Sequence, residues 1–121
     1  MKHFYIIFLV IFSIFFLEQL SLANTQVGGI INSDTTWTST SSPYSLTSNV
    51  QVAYGSTLTI NEGVVINGNN HNIKIWGDFI VKGSDNSKII FNNTNIVPAG
   101  NTSPDESYNM DIQFVEINGI V

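Results

Sequence analysis

The order of hydrophobic and polar positions divides the chain into successive regimes. Phe4 to Leu17 is apolar except for Ser13, with Lys2 and His3 before it and Glu18 after it. Residues 24 to 47 are rich in Ser, Thr, Asn and Gly. They carry one apolar patch (Val27, Ile30, Ile31) and two aromatic residues, Trp37 and Tyr44. From Asn49 the pattern becomes a series of short runs. Val50-Gln51-Val52, Leu58-Thr59-Ile60, Val64-Val65-Ile66, Ile73-Lys74-Ile75, Phe79-Ile80-Val81 and Ile89-Ile90-Phe91 are each followed by Gly, Asn, Asp or Ser. Runs rich in β-branched residues and bounded in this way predict strands. No window carries the i, i+3, i+4, i+7 spacing of an amphipathic helix. Ser and Thr compete with a helical backbone for hydrogen bonds, so the 24–47 segment is not predicted to be helical either.

The predicted strands are short and evenly spaced, which favours a solenoid over a sandwich with longer strands. A solenoid requires that the pattern repeat. Leu58-Thr59-Ile60 aligns with Phe79-Ile80-Val81 at an offset of 21, and Val50-Gln51-Val52 with Ile73-Lys74-Ile75 at 23. Val64-Val65-Ile66-Asn67-Gly68 aligns with Ile89-Ile90-Phe91-Asn92-Asn93 at 25, and Val115-Glu116-Ile117 follows at 26. A drifting offset is what corners of varying length produce while the strands recur. One coil is then three strands in roughly 21 to 25 residues, within the range of solenoid repeats. Asn after Ile66 and after Phe91 suits a sharp corner, because Asn tolerates left-handed backbone. Pro98, Gly100, Asn101, Ser103 and Pro104 predict an irregular loop over 94–110.

The first 23 residues read as an address. A basic start, an apolar stretch and Ser21-Leu22-Ala23, with small residues where signal peptidase needs them, make the three-part plan of a signal peptide cleaved after Ala23. A spanning helix needs about 20 apolar residues, more than Phe4 to Leu17 supplies. No later stretch is long and apolar enough to span, so no membrane span is expected after cleavage.

Charge narrows the partners. The chain has a formal net charge of −5, and its basic residues are all lysines. Without arginine it lacks the bidentate donor favoured for phosphate and guanine, and nucleic acid would repel it. Nucleic-acid binding is excluded on these grounds. Cysteine is absent, which removes disulfides, thiolate chemistry, cysteine–zinc sites and a lipid-bearing cysteine. Small secreted eukaryotic domains usually depend on disulfides, so a bacterial or archaeal surface protein is expected.

Asp34-Thr35-Thr36-Trp37, Ser42-Pro43-Tyr44, Val50-Gln51-Val52, Gly55-Ser56-Thr57-Leu58-Thr59-Ile60 and Glu62-Gly63-Val64 resemble the opening segment of secreted right-handed parallel β-helix repeat proteins, the pectate-lyase-like solenoid architecture. The likeness covers about residues 27–93 and, more loosely, 109–121. It implies an all-β, right-handed parallel β-helix. The expected domains are a signal peptide (1–23), an N-terminal cap (24–47) and β-helix coils (48–121) with the loop at 94–110. Trp37 and Tyr44 are expected to cap the first coil. About two to two-and-a-half coils are expected, fewer than the family usually has. The chain therefore reads as truncated, with an open C-terminal coil able to pair with another chain.

The family includes adhesin-like and polysaccharide-degrading members, so the resemblance settles architecture rather than activity. Its pectate lyases rely on an arginine and an acidic calcium site, and the missing arginine blocks that transfer. His71 sits in a polar corner, Asn69-Asn70-His71-Asn72, with no Gly-x-Ser-x-Gly elbow in the sequence. Asp105, Glu106 and Asp111 are close in sequence, but the loop context offers no burial to raise a carboxyl pKa for general-acid work. Gly83-Ser84-Asp85-Asn86 lacks further acids at calcium-ligand spacing. No catalytic, metal or cofactor site is assigned. Trp37, Tyr44, Tyr54 and Trp76 are candidates to stack on sugars, with Trp76 the best placed. Trp76, Asp105 and Asp111 are the candidate carbohydrate contacts. Asn92-Asn93-Thr94 and Asn101-Thr102-Ser103 fit the glycosylation sequon. The expected function is an exported, non-enzymatic structural or adhesin-like module at the cell surface, as a fragment of a longer surface protein. Binding or processing of polysaccharide or cell-surface components is the alternative.

Overall fold

Successive strand residues point to opposite faces, so an alternating run can send every second side chain into a shared interior. The structure, a computed structural model, describes residues 24–99 and 108–119. These fold as a parallel β-solenoid of about four turns. Its strands are β1 (Thr25–Ile31), β2 (Thr35–Trp37), β3 (Tyr44–Val52), β4 (Thr57–Asn61), β5 (Val65–Asn67) and β6 (Asn72–Ile75). β7 (Asp78–Lys82), β8 (Ile89–Asn92), β9 (Asn95–Pro98), β10 (Met110–Gln113) and β11 (Val115–Asn118) complete the set.

The strands form three parallel stacks. One runs β2–β4–β7–β10. A second joins the C-terminal halves of β1 and β3 to β6 and β9. The third joins the N-terminal halves of β1 and β3 to β5, β8 and β11. β3 contributes to two stacks because its exposed middle, Thr47 to Asn49, turns a corner. Each register expected from the repeat is realised: Leu58 pairs with Phe79, Val50 with Ile73, Val65 with Ile90, and Val115 with Ile89.

Register fixes the core. Tyr44, Ile66, Phe91 and Ile117 form one inward column. Trp37, Ile60, Val81 and Ile112 form another. Val50, Ile73 and Ile96 continue the same arrangement on the second stack. Leu58, Ile60, Ile66, Ile73, Ile75, Phe79, Val81, Ile89 and Phe91 are fully buried. Each such side chain contributes about 1.5 to 3 kcal/mol by leaving water. A one-residue slip would turn all of them outward, so the register is strongly specified.

Asparagine amides tie the coils together on the outside. Asn92 Nδ2 donates to Asn67 Oδ1 (3.1 Å), and Asn118 Nδ2 to Asn92 Oδ1 (3.3 Å). Asn49 Oδ1 accepts from the backbone N–H of Asn72 (2.8 Å), one coil on. Asn69, Asn70 and Asn93 occupy left-handed backbone at the corners, whereas Asn67 and Asn92, the residues expected there, are the last residues of β5 and β8.

Three expectations are corrected. The coil count is about four rather than two to two-and-a-half. The added coil lies in the 24–47 segment, where β1 and β2 pair in parallel with β3 and β4. Its sequence lacks a clear apolar alternation because Gly29 and Thr35 occupy positions in register with the core residues Val50 and Leu58. Trp37 and Tyr44 accordingly belong to the core columns; their rings stack at 4.8 Å and 13°. Thirdly, the loop expected over 94–110 begins with a strand, since β9 pairs with β6. Pro98 is compatible with it because β9 ends its sheet order, where a missing N–H breaks no ladder.

Candidate functional site

The corner between the second stack and the β2–β4–β7–β10 stack exposes a large aromatic side chain in two successive coils. In one coil it consists of Ala53 to Ser56, between β3 and β4; in the next it is Trp76-Gly77, between β6 and β7. Pairing of Val52 with Ile75 before the corner, and of Thr57 with Asp78 after it, places Tyr54 and Trp76 at the same corner of successive coils. Both are exposed, Tyr54 at 60% and Trp76 at 40%.

The backbone here is held tightly. Trp76 and Gly77 both donate their N–H to the Val52 carbonyl, at 2.9 and 3.1 Å, and Asp78 N–H donates to the Ser56 carbonyl at 2.9 Å. Gly77 is required by this approach, since a Cβ there would overlap the carbonyl oxygens of Ala53 and Ser56.

Polar groups flank the aromatic pair. Gln51 and Lys74 are in register on one side, and Thr57 and Asp78 on the other. Two aspartates fasten the coils: Asp34 Oδ1 accepts from Thr57 N–H (3.0 Å) and Asp78 Oδ1 from Asn109 N–H (2.7 Å). Asp78 so shares this corner with Trp76.

The remaining sequence candidates are scattered. Asp111 lies in β10 opposite Ile80. It forms an exposed ion pair with Lys82 (3.5 Å) and accepts from Gln113 Nε2 (3.0 Å). An exposed pair of this kind contributes little to stability. Trp76 lies at the corner and Asp111 within a neighbouring stack, so the fold does not gather them into one cluster. Ala23 and Asp105 lie outside the described residues, as do Glu106 and the second sequon. Ser84 and Ser87 exchange backbone hydrogen bonds of 3.1 Å, a turn arrangement for the Gly83–Asn86 stretch. His71 occupies a corner whose carbonyl accepts from Thr94 Oγ1 (2.6 Å). In the first sequon the Asn92 amide is engaged with Asn67 and Thr94 is buried.

Tyr54, named among the four aromatic candidates but not among the three candidate carbohydrate contacts, joins Trp76 at this corner. Its signal was present in the sequence: Tyr54-Gly55 and Trp76-Gly77 follow strands related by the offset of 23. Among the described residues, two grooves lie near the ends of the stacks. A shallow groove at the N-terminal end is lined by Val27, Ile31, Trp37 and Val50, and another near the C-terminal end by Thr94, Ile96, Val97 and Ile117. In comparisons with family models, with curated proteins and with solved structures, nothing matches this chain.

Proposed function

We propose that the chain is an exported, non-enzymatic β-solenoid module of structural or adhesin-like type. The observation that carries the reading is the division of labour between its faces. An interior of Ile, Val, Leu and Phe holds the stacked coils together, while the coils turn Thr, Asn, Gln and Lys outward to water. Hydrogen-bonded coils display side chains at fixed spacing, which suits attachment and scaffolding. Export is supported by Lys2 and His3, the apolar Phe4 to Leu17 and Ser21-Leu22-Ala23.

The test is expression of the full chain in an exporting host, followed by fractionation and intact-mass measurement. The expected product lies outside the cytoplasm and begins at Asn24. Full-length chain starting at Met1 and confined to the cytosol would overturn the proposal. A second reading, polysaccharide binding, is favoured by the exposed Tyr54 and Trp76 at one corner.

A further inference from the structure

Large aromatic rings carry much apolar area, and their exposure is unfavourable unless a partner covers them. The chain buries Trp37 and Tyr44 in its core but leaves Trp76 and Tyr54 outside, in successive coils and at the same corner. This arrangement is a short aromatic strip that follows the solenoid axis.

Resting on the adhesive reading above, we infer that this strip binds a linear polysaccharide of neutral or N-acetylated β-linked pyranoses lying along the axis. Such sugars present flat faces of axial C–H bonds, which stack on aromatic rings, and equatorial hydroxyls around the edge. Parallel coils are spaced by about 4.8 Å, less than the full width of an aromatic ring, so Tyr54 and Trp76 together make one platform rather than a separate subsite for each sugar. Gln51 and Lys74 on one flank and Thr57 and Asp78 on the other are placed to hydrogen-bond the hydroxyls. A few polar groups around an aromatic platform fix the orientation of a ligand.

Charge selects the class. The chain carries a net −5 without arginine, and Asp34 and Asp78 stand at this corner. A polyuronate would meet like charges along its length, with Lys74 as the nearby cation on the flanking strand. Uncharged sugars meet no such opposition.

The test is co-sedimentation of the purified full-length export product with insoluble chitin and cellulose, with polygalacturonate as the acidic arm. The two tryptophans give a second readout. A ligand on the corner shields the exposed Trp76 from acrylamide, while Trp37, at 4% exposure, is already protected. Binding to chitin or cellulose, reduced by about tenfold or more in Trp76→Ala and in Tyr54→Ala, is the expected result for loss of an aromatic anchor. Trp76→Phe keeps a ring and is expected to retain most of the binding, which separates stacking from misfolding. No binding to either solid, binding unchanged by both alanine substitutions, or preference for polygalacturonate each overturns the inference. Processing at Ala23 is read separately by mass, so failure of export and failure of sugar binding are distinguishable.

Discussion

Asn92 and Asn67 are joined side chain to side chain across one coil, with Asn92 Nδ2 donating to Asn67 Oδ1 at 3.1 Å. Asn92 Oδ1 accepts in turn from Asn118 Nδ2 at 3.3 Å, so Asn92 both donates and accepts along the stack. Its two neighbours each lose a partner if it is removed. A net hydrogen bond contributes about 1 kcal/mol, and an orphaned part-buried group costs more. Asn92→Ala is expected to destabilise the fold by about 1 to 2 kcal/mol. Asn118→Ala, at the outer member, is expected to cost less. Urea unfolding of both variants checks the order; equal effects would mean that the stack does not couple its members.

The Phe91 column makes a sharper contrast. Phe91 is fully buried between Ile66 and Ile117, whereas Ile117 is 52% exposed. Phe91→Ala removes a buried ring and leaves a cavity, at a cost of about 3 to 5 kcal/mol. That is a large share of the 5 to 15 kcal/mol typical of a domain. Ile117→Ala, already half in water, is expected to cost about 1 kcal/mol. Thermal melts of the two variants measure the difference, and a severe loss in Ile117→Ala would show that its column is more fully covered than its exposure indicates.

The middle coils were legible because local and long-range signals agree there. Leu58, Phe79, Val50 and Ile73 are β-branched, aliphatic or aromatic, alternate with polar residues and recur at a nearly constant offset. The first coil was hidden because Gly29 and Thr35 lie in register with core residues. Among the described residues the first coil has a neighbouring coil on one side only, and large apolar groups are fewer there. β9 was hidden by Pro98, which signals a break unless the strand is known to be at an edge. At the corner, Trp76 was legible as an exposed aromatic, but its partnership with Tyr54 depends on register rather than composition. Asp111 shared only sequence proximity with Asp105, and its contacts are with Lys82 and Gln113.

Phe114 was not legible at all, and it offers the most direct test of backbone conformation. It is the single residue between β10 and β11, in left-handed backbone with φ of 51°. Nothing around it announces a turn, since the other left-handed positions among the described residues are Asn or Gly. Left-handed backbone costs a residue with a Cβ about 1 to 2 kcal/mol, and Asn relieves part of this by local hydrogen bonding. The ring is 48% exposed, so its burial offsets only part of the cost. Phe114→Asn is therefore expected to stabilise the chain by about 0.5 to 1 kcal/mol. For a domain of this size the melting midpoint would rise by several degrees, at about 4 to 8 °C per kcal/mol. The Phe114 carbonyl accepts from Ile89 N–H at 3.3 Å, and the substitution leaves that backbone bond in place. A lower midpoint in Phe114→Asn would show that the ring contributes more by covering the last coil than its backbone costs.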